Sequence, residues 1–351
     1  MQKLFGAVAR DGLVKRAGHP YKPPAAPKTK WQAPCVVENE GGRMIVGTGR
    51  AAERGGPGER NVSVNEKSRK ALISTVIAVV VAVLIALAGS QGGSRIGGFP
   101  VFALGVAIAF VIQWLVFIPS YRAQTEKFYD LTGALTYISI TVFLVLASGV
   151  DARGMVLAAM VVLWAARLGS FLFMRISKHG KDDRFDELKP DFFRFLNTWT
   201  IQGLWVVLTA ALAWVAITSD QKVGLDGFFW VGLLVWAAGI AIETVADLQK
   251  TRFKDDPANK GRFISTGLWS RSRHPNYFGE ITLWVGVAII ALPVLQGWQW
   301  AALISPVFVA LLLTKGSGVP PLEKKADKKW GGQADYEEYK KNTPVLVPKL
   351  K

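Results

Sequence analysis

An all-α, polytopic transmembrane helical bundle of about seven to eight spans is the fold class that the sequence predicts, and three observations predict it. Half of the 351 residues are hydrophobic, 13 are Trp and only 19% are charged, below the ~25% typical of soluble domains; the mean hydropathy is +0.26. Uncharged apolar stretches of membrane-spanning length recur between residues 71 and 314. The Lys and Arg residues fall on alternate sides of those stretches, the asymmetry that orients membrane helices.

Residues 1–70 come first and belong to none of the spans. Segments such as "HPYKPPAAPKTK" and "GTGRAAERGGPGER" are basic and rich in Gly and Pro, so a disordered extension is expected there. The segment lacks the apolar core of a secretory signal, and its want of serine before Ser63 argues against a transit peptide. A true start nearer Met44 is the plainer alternative.

The domain proper is expected over 71–351. "ALISTVIAVVVAVLIALAG" (71–89) supplies 19 uncharged residues, enough as a helix to cross a hydrocarbon core of ~30 Å. Comparable stretches follow at about 99–118, 131–149, 155–174, 198–218 and 228–246. The last run, 281–314, is 34 residues long and would extend ~51 Å as one helix. Pro293 and Gly297 mark the expected break, for eight spans in all, or seven if the final pair forms a kinked or re-entrant element.

With the N-terminus inside, 38 Lys and Arg lie on the inner side, 3 on the outer side, and Arg167 alone within a span. Both termini are therefore expected in the cytoplasm, the host being a bacterial inner membrane or an endoplasmic-reticulum-type membrane. The net charge of +16 is spread over loops and tails, which suits anionic lipid headgroups or a phosphorylated ligand and excludes a compact nucleic-acid-binding module. Cys35 is the sole cysteine, and His19, His179 and His274 lie far apart. No disulfide or metal site is expected.

The unusual chemistry is concentrated in three inner segments: "RISKHGKDDRFDELKP" (175–190), the stretch from Glu243 to Glu280, and the tail containing "QADYEEYKK". Glu243 and Asp247 are four residues apart at the inner end of the sixth span, and Asn276 and Glu280 repeat that spacing at the entrance to the seventh. A helix puts each pair on one face. Such groups at headgroup depth are functional candidates, or else they pair with Arg252, Arg262 or Arg273 to hold the loop in place. In "SRHPNYFGE" (272–280), Pro275 suits the first helical turn, and the open backbone N–H groups there, with Arg271, Arg273 and His274, would favour an anion. Arg167 either snorkels to the inner surface or faces a ligand cavity. Trp114, Trp199, Trp269 and Trp298 are expected as interfacial anchors. Tyr336 and Tyr339 either cover a ligand or belong to an amphipathic surface helix.

"SRSRHPNYFGEITLWVG", "RISKHGKDDRFDELKP", "TWTIQGLW" and "YKKNTPVLVP" together resemble the DUF1295 family of multi-pass membrane proteins, related to the steroid 5-alpha-reductase C-terminal domain, over roughly 71–351. The resemblance implies an NADPH pocket between loops and helix ends, and hydride transfer to a carbon–carbon double bond conjugated with a carbonyl in a lipophilic, steroid-like or isoprenoid, substrate. It implies cofactor-binding roles for Asp247, Arg262, Asn276 and Glu280, with Gly267 and Gly279 in matching places. Arg252 or Lys254 stands where some reductases carry an arginine, and Arg167, Arg273, His274 and Tyr277 complete the expected cofactor set. The early-span catalytic pair of the reductases has no residue-by-residue match; "KFYDLTGALTY" offers Tyr137 and Asp130.

"RHPNYFG" followed by "DYEEYKKNTPVLVP" is also similar to isoprenylcysteine and phospholipid methyltransferases, which implies S-adenosylmethionine as the alternative cofactor. In favour of that alternative are the tail tyrosines with Glu323, Glu337 and Glu338; against it are Asp247 and Glu280 at the reductase positions and the many cations suited to phosphate. A non-catalytic lipid-binding protein of the same fold is the third reading. The oligomeric state is not readable from the sequence.

Overall fold

A computed structural model of the chain describes residues 57–179 and 185–350, with a short ladder between Val37–Glu38 (β1) and Met44–Ile45 (β2); side chains are described over 65–174 and 185–350. Most of the 1–70 extension and the cation-rich part of 175–190 lie outside the described residues. The helices are α1 (Pro57–Gly89), α2 (Val101–Arg122), α3 (Tyr129–Ala147), α4 (Ala152–His179), α5 (Phe192–Thr218), α6 (Gly227–Asp255), α7 (Pro275–Ala291), α8 (Ile304–Leu311), α9 (Val319–Trp330) and α10 (Ala334–Asn342). Among the described residues, eight helical segments are long and apolar enough to cross a membrane. The count of eight stands, and the chain is a multi-pass membrane protein.

α5 forms the centre and is buried along most of its length, whereas α1 turns Leu72, Val76, Val80, Leu84 and Leu87 outward. Such an exposed apolar surface suits lipid rather than water. Local chemistry sets the element ends. The Asp191 and Asp226 carboxylates accept from the Arg194 and Phe229 N–H groups and cap α5 and α6, satisfying donors that no helical carbonyl can reach. Gly97 and Gly98, both at positive φ, turn the hairpin β3 (Arg95–Ile96) to β4 (Phe99–Pro100) between α1 and α2, as a two-residue turn requires.

Pro293 ends α7 through a 3₁₀ turn, Leu292–Val294, where the break was predicted. The eighth span is not a plain helix. It runs as 3₁₀ over Gly297–Leu303, α over Ile304–Leu311 and π over Leu312–Gly316. Pro306 offers no N–H and its ring crowds the preceding turn, which accounts for the tightened 3₁₀ segment before it. α6 continues past its predicted end at 246 to Asp255, so Asp247 and Lys250 are helical and positioned by the core.

At the end of the bundle away from the basic loops, Arg153 is 1% exposed. Its guanidinium donates to the carbonyls of Ile290 (2.5 Å), Gly224 (2.6 Å) and Val223 (3.2 Å) and to Asp226 Oδ1 (2.8 Å). Its planar fork of donors ties the start of α4 to the α5–α6 connection and to the end of α7. The backbone N–H of Phe229, together with this arginine, holds the Asp226 carboxyl below the usual carboxylate range.

Candidate active site

The site begins with glycine. On α6, Gly232 and Gly239 are seven residues apart, and so are Gly279 and Gly286 on α7; each lies against the backbone of the other helix. A β-carbon on Gly239 would come within 2.8 Å of the Gly279 carbonyl oxygen, and one on Gly279 within 2.7 Å of the Gly239 oxygen and 2.6 Å of the Glu243 nitrogen. Only residues without a side chain allow two backbones so close. This contact sets Asn276 and Glu280 of α7 beside Glu243 and Asp247 of α6.

Arg167 of α4 completes the group. It donates through Nη2 to Glu243 Oε1 and through Nη1 to Asp247 Oδ2 (3.2 Å), while Asn276 Nδ2 donates to Asp247 Oδ1 (3.2 Å). Glu243 is 3% exposed and Asp247 14%, against 20% for Arg167. Glu280 lies near enough to Glu243 for the two carboxyls to act on each other electrostatically. Arg167 therefore does not snorkel to the inner surface but turns two of its nitrogens to the acids of α6. The expected partners of the acids were Arg252, Arg262 or Arg273, and the partner is an arginine from another helix. Arg167 Nε and Glu243 Oε2 remain buried with no hydrogen-bond partner among the described residues.

The "SRHPN" turn packs under the tail. Gly267, at φ +61, allows the Leu268 N–H to reach Gln249 Oε1 (2.9 Å), and the Trp269 indole N–H donates to the Ala246 carbonyl (3.0 Å). From α9, Glu323 accepts from Arg273 Nη2 (3.0 Å) and sits 2.8 Å from His274 Nε2; the His274 ring stacks on Tyr277 at 5.6 Å. The Tyr339 hydroxyl donates to the Trp269 carbonyl (2.6 Å) and that of Tyr336 to Asp327 Oδ1 (2.8 Å). Burial pushes both phenols above their ordinary range, with Asp327 adding to it at Tyr336, so both are proton donors at neutral pH. The anion site expected at Arg273 and His274 is thus answered from within the chain by Glu323.

Arg252, Lys254 and Arg262 are exposed at the rim, apart from the buried group. Tyr137 and Asp130 lie on α3 and face α4. They line, with Trp164, Leu168 and Leu172, a narrow crevice whose walls stand too close to admit water. The Tyr137 hydroxyl is beside Thr209 without closing a hydrogen bond of good geometry. Tyr137 meets Trp164 edge-on at 5.1 Å, and Trp164 meets Trp284 at 5.0 Å. Trp284 is one helical turn beyond Glu280, so this aromatic row runs from α3 to the α7 face of the site.

Two of the four predicted anchoring tryptophans are core residues: Trp199 is 0% and Trp269 3% exposed, whereas Trp114 and Trp298 are exposed as expected. Lys250 and the buried role of Trp269 were missed, and Glu323, named in the sequence only for the methyltransferase alternative, turns out to pair with Arg273 and His274. Lys250 follows Asp247 by three positions, a helical spacing that would have found it had α6 been extended. Among the described residues no group of His, Cys, Asp and Glu could hold a metal ion.

Comparison with known proteins follows the same lines. A family model described as a protein of unknown function, DUF1295, matches residues 116–343. An uncharacterised protein of Schizosaccharomyces pombe is 26% identical over 186 residues, 43% of this chain and 54% of its own length. Steroid 5-alpha-reductase DET2 of Arabidopsis thaliana is 27% identical over 140 residues, 38% of this chain and 48% of its own. The "probable O-methyltransferase" ustE of Ustilaginoidea virens is 28% identical over 129 residues, 28% of this chain and 45% of its own. The chain spans about half the length of the curated relatives it matches. No solved structure matches it. From the end of α2 to the tail helix α10, the chain belongs to the DUF1295 family.

Proposed function

We propose that the chain is an integral membrane oxidoreductase that uses NADPH to reduce a carbon–carbon double bond conjugated to a carbonyl in a lipophilic, steroid-like or isoprenoid, substrate. The observation that carries this reading is the meeting of Arg167, Glu243, Asp247, Asn276 and Glu280 at the basic ends of three helices. Similarity to steroid 5-alpha-reductases supports it. The basic end faces the cytoplasm in this proposal, which gives a soluble nucleotide access.

The donor and acceptor set fits such a nucleotide. Asp247 and Glu280 are acceptors for ribose hydroxyls and for a carboxamide N–H; Asn276 and the unpartnered Arg167 Nε are donors. When bound, NADPH supplies the hydride for the conjugated double bond. In this proposal Tyr137 donates its O–H to the substrate carbonyl, drawing charge onto that oxygen, and Asp130 lines the same crevice. Trp164 and Trp284 keep water from the reacting bond. The crevice is too narrow to admit even a water molecule, far short of the roughly 300 Å³ at which ligand pockets begin, so in this proposal a bilayer-borne substrate enters by parting α3 and α4.

One further observation favours a second reading. The tail folds over the His274–Pro275 turn through Glu323 and Tyr339, and an O-methyltransferase is among the relatives; this is the S-adenosylmethionine alternative. Enone-dependent oxidation of NADPH by the purified protein tests the first. Tyr137→Phe is expected to lower kcat by about 10²–10³-fold, the effect of losing one oxyanion donor, with KM for NADPH unchanged. An equal rate in the variant removes Tyr137 from the chemistry, and methyl transfer without NADPH oxidation replaces the proposal by the second reading.

A further inference from the structure

We infer that Lys250 is the cation of this site that binds a phosphate of the nucleotide. The inference rests on the nucleotide reading above and names a group of the site that the sequence motifs do not include.

The other buried cations are already engaged. Arg167 is held by Glu243 and Asp247; Arg273 by Glu323 and the Lys340 carbonyl; His274 by Glu323. Arg252, Lys254 and Arg262 are exposed, where water and salt weaken any single ionic contact. Lys250 differs from both sets. It is partly buried, one helical turn beyond Asp247, and its ammonium lies 4.2 Å from the centre of the Trp269 ring. Among the described residues it makes no hydrogen bond or ion pair.

A π face attracts the charge of an ammonium but gives its three N–H groups no oxygen to bind. A phosphate is all acceptor and doubly charged, and it supplies what the ring lacks. The platform is rigid: Trp269 is 3% exposed, bonded by its indole N–H to α6 and by its carbonyl to Tyr339. Lys250 is thereby pre-organised at the rim of the carboxylate group, with Asp247 beside it. The spacing puts a phosphate contact and a ribose contact on one face of α6.

The test is a titration of the purified full chain with NADPH and with NADH, following nucleotide fluorescence, for the wild type, Lys250→Gln, Lys250→Arg and an exposed control, Lys328→Gln. Thermal melts accompany each variant. Lys250→Gln is expected to weaken NADPH binding by about 10- to 100-fold, the loss of one charge-assisted donor, while Lys250→Arg and Lys328→Gln keep it. If the contact is to the 2′-phosphate, NADH binding is unchanged in Lys250→Gln; if it is to the pyrophosphate, both nucleotides weaken together. Either result supports the inference. Unchanged NADPH affinity in a folded Lys250→Gln, or equal losses in the Gln and Arg variants, overturns it.

A second measurement needs no variant: adenosine 2′,5′-bisphosphate should displace NADPH from the wild type more strongly than adenosine does, and equal displacement counts against a phosphate seat. A wild type that binds neither nucleotide contradicts the oxidoreductase reading itself, and the inference falls with it.

Discussion

Arg167→Met is expected to destabilise the bundle by about 3–5 kcal/mol, the range for removing one partner of a buried ion pair, and to abolish nucleotide binding. The reason is the imbalance left behind. Glu243, 3% exposed, and Asp247, 14% exposed, would lose the guanidinium that both contact, with Glu280 adding a third carboxyl nearby. Unpaired charge in a low-dielectric interior costs more than the lost hydrogen bonds alone. Thermal unfolding in detergent measures the effect. Adding Glu243→Gln to Arg167→Met should recover part of the lost stability, because one of the stranded charges disappears, without restoring nucleotide binding. A melting temperature unchanged by Arg167→Met would show that the cluster is not held by this arginine.

Gly239→Val is expected to separate α6 from α7 and to disable the site from a distance. Its β-carbon would meet the Gly279 carbonyl oxygen and the Leu283 backbone, and neither can rotate away as a side chain can. The overpacking alone costs about 1–3 kcal/mol. The larger consequence is functional: a shift of α7 carries Asn276 and Glu280 away from Asp247, and displacements of ~1 Å matter in a polar constellation. Gly149, with open space where a β-carbon would go, provides the control, and Gly149→Ala should be silent in both melting and binding. Gly239→Val with wild-type nucleotide affinity would contradict the role given to the glycine contact.

Much of this architecture is legible in the chain because membrane solvation imposes length and charge rules that act locally. Eight apolar segments of spanning length, the Pro293 break and the alternation of basic with charge-poor loops are all one-dimensional signals. The pairs Glu243/Asp247 and Asn276/Glu280 are legible for a related reason, since helical spacing puts each pair on one face. What spacing cannot state is which face meets which. Arg167 lies far from Glu243 in sequence, and only the packing of α4 against the α6–α7 pair brings them together. Glu323 is equally remote from Arg273 and His274, so a turn that reads as an anion site is internally neutralised. Trp199 and Trp269 stand where interfacial anchors are expected, yet the fold buries both. The glycines of α6 and α7 are visible singly; their matched seven-residue spacing gains meaning only when the two backbones touch.

Whether the carboxylate, arginine and asparagine group is a nicotinamide-nucleotide site is decided by a side-by-side titration of the purified full chain with NADPH and with S-adenosylmethionine, in the wild type and in Glu280→Gln. Saturable NADPH binding is expected, lost in Glu280→Gln, with no saturable binding of S-adenosylmethionine. Saturable binding of S-adenosylmethionine alone, or NADPH binding indifferent to Glu280→Gln, would contradict it.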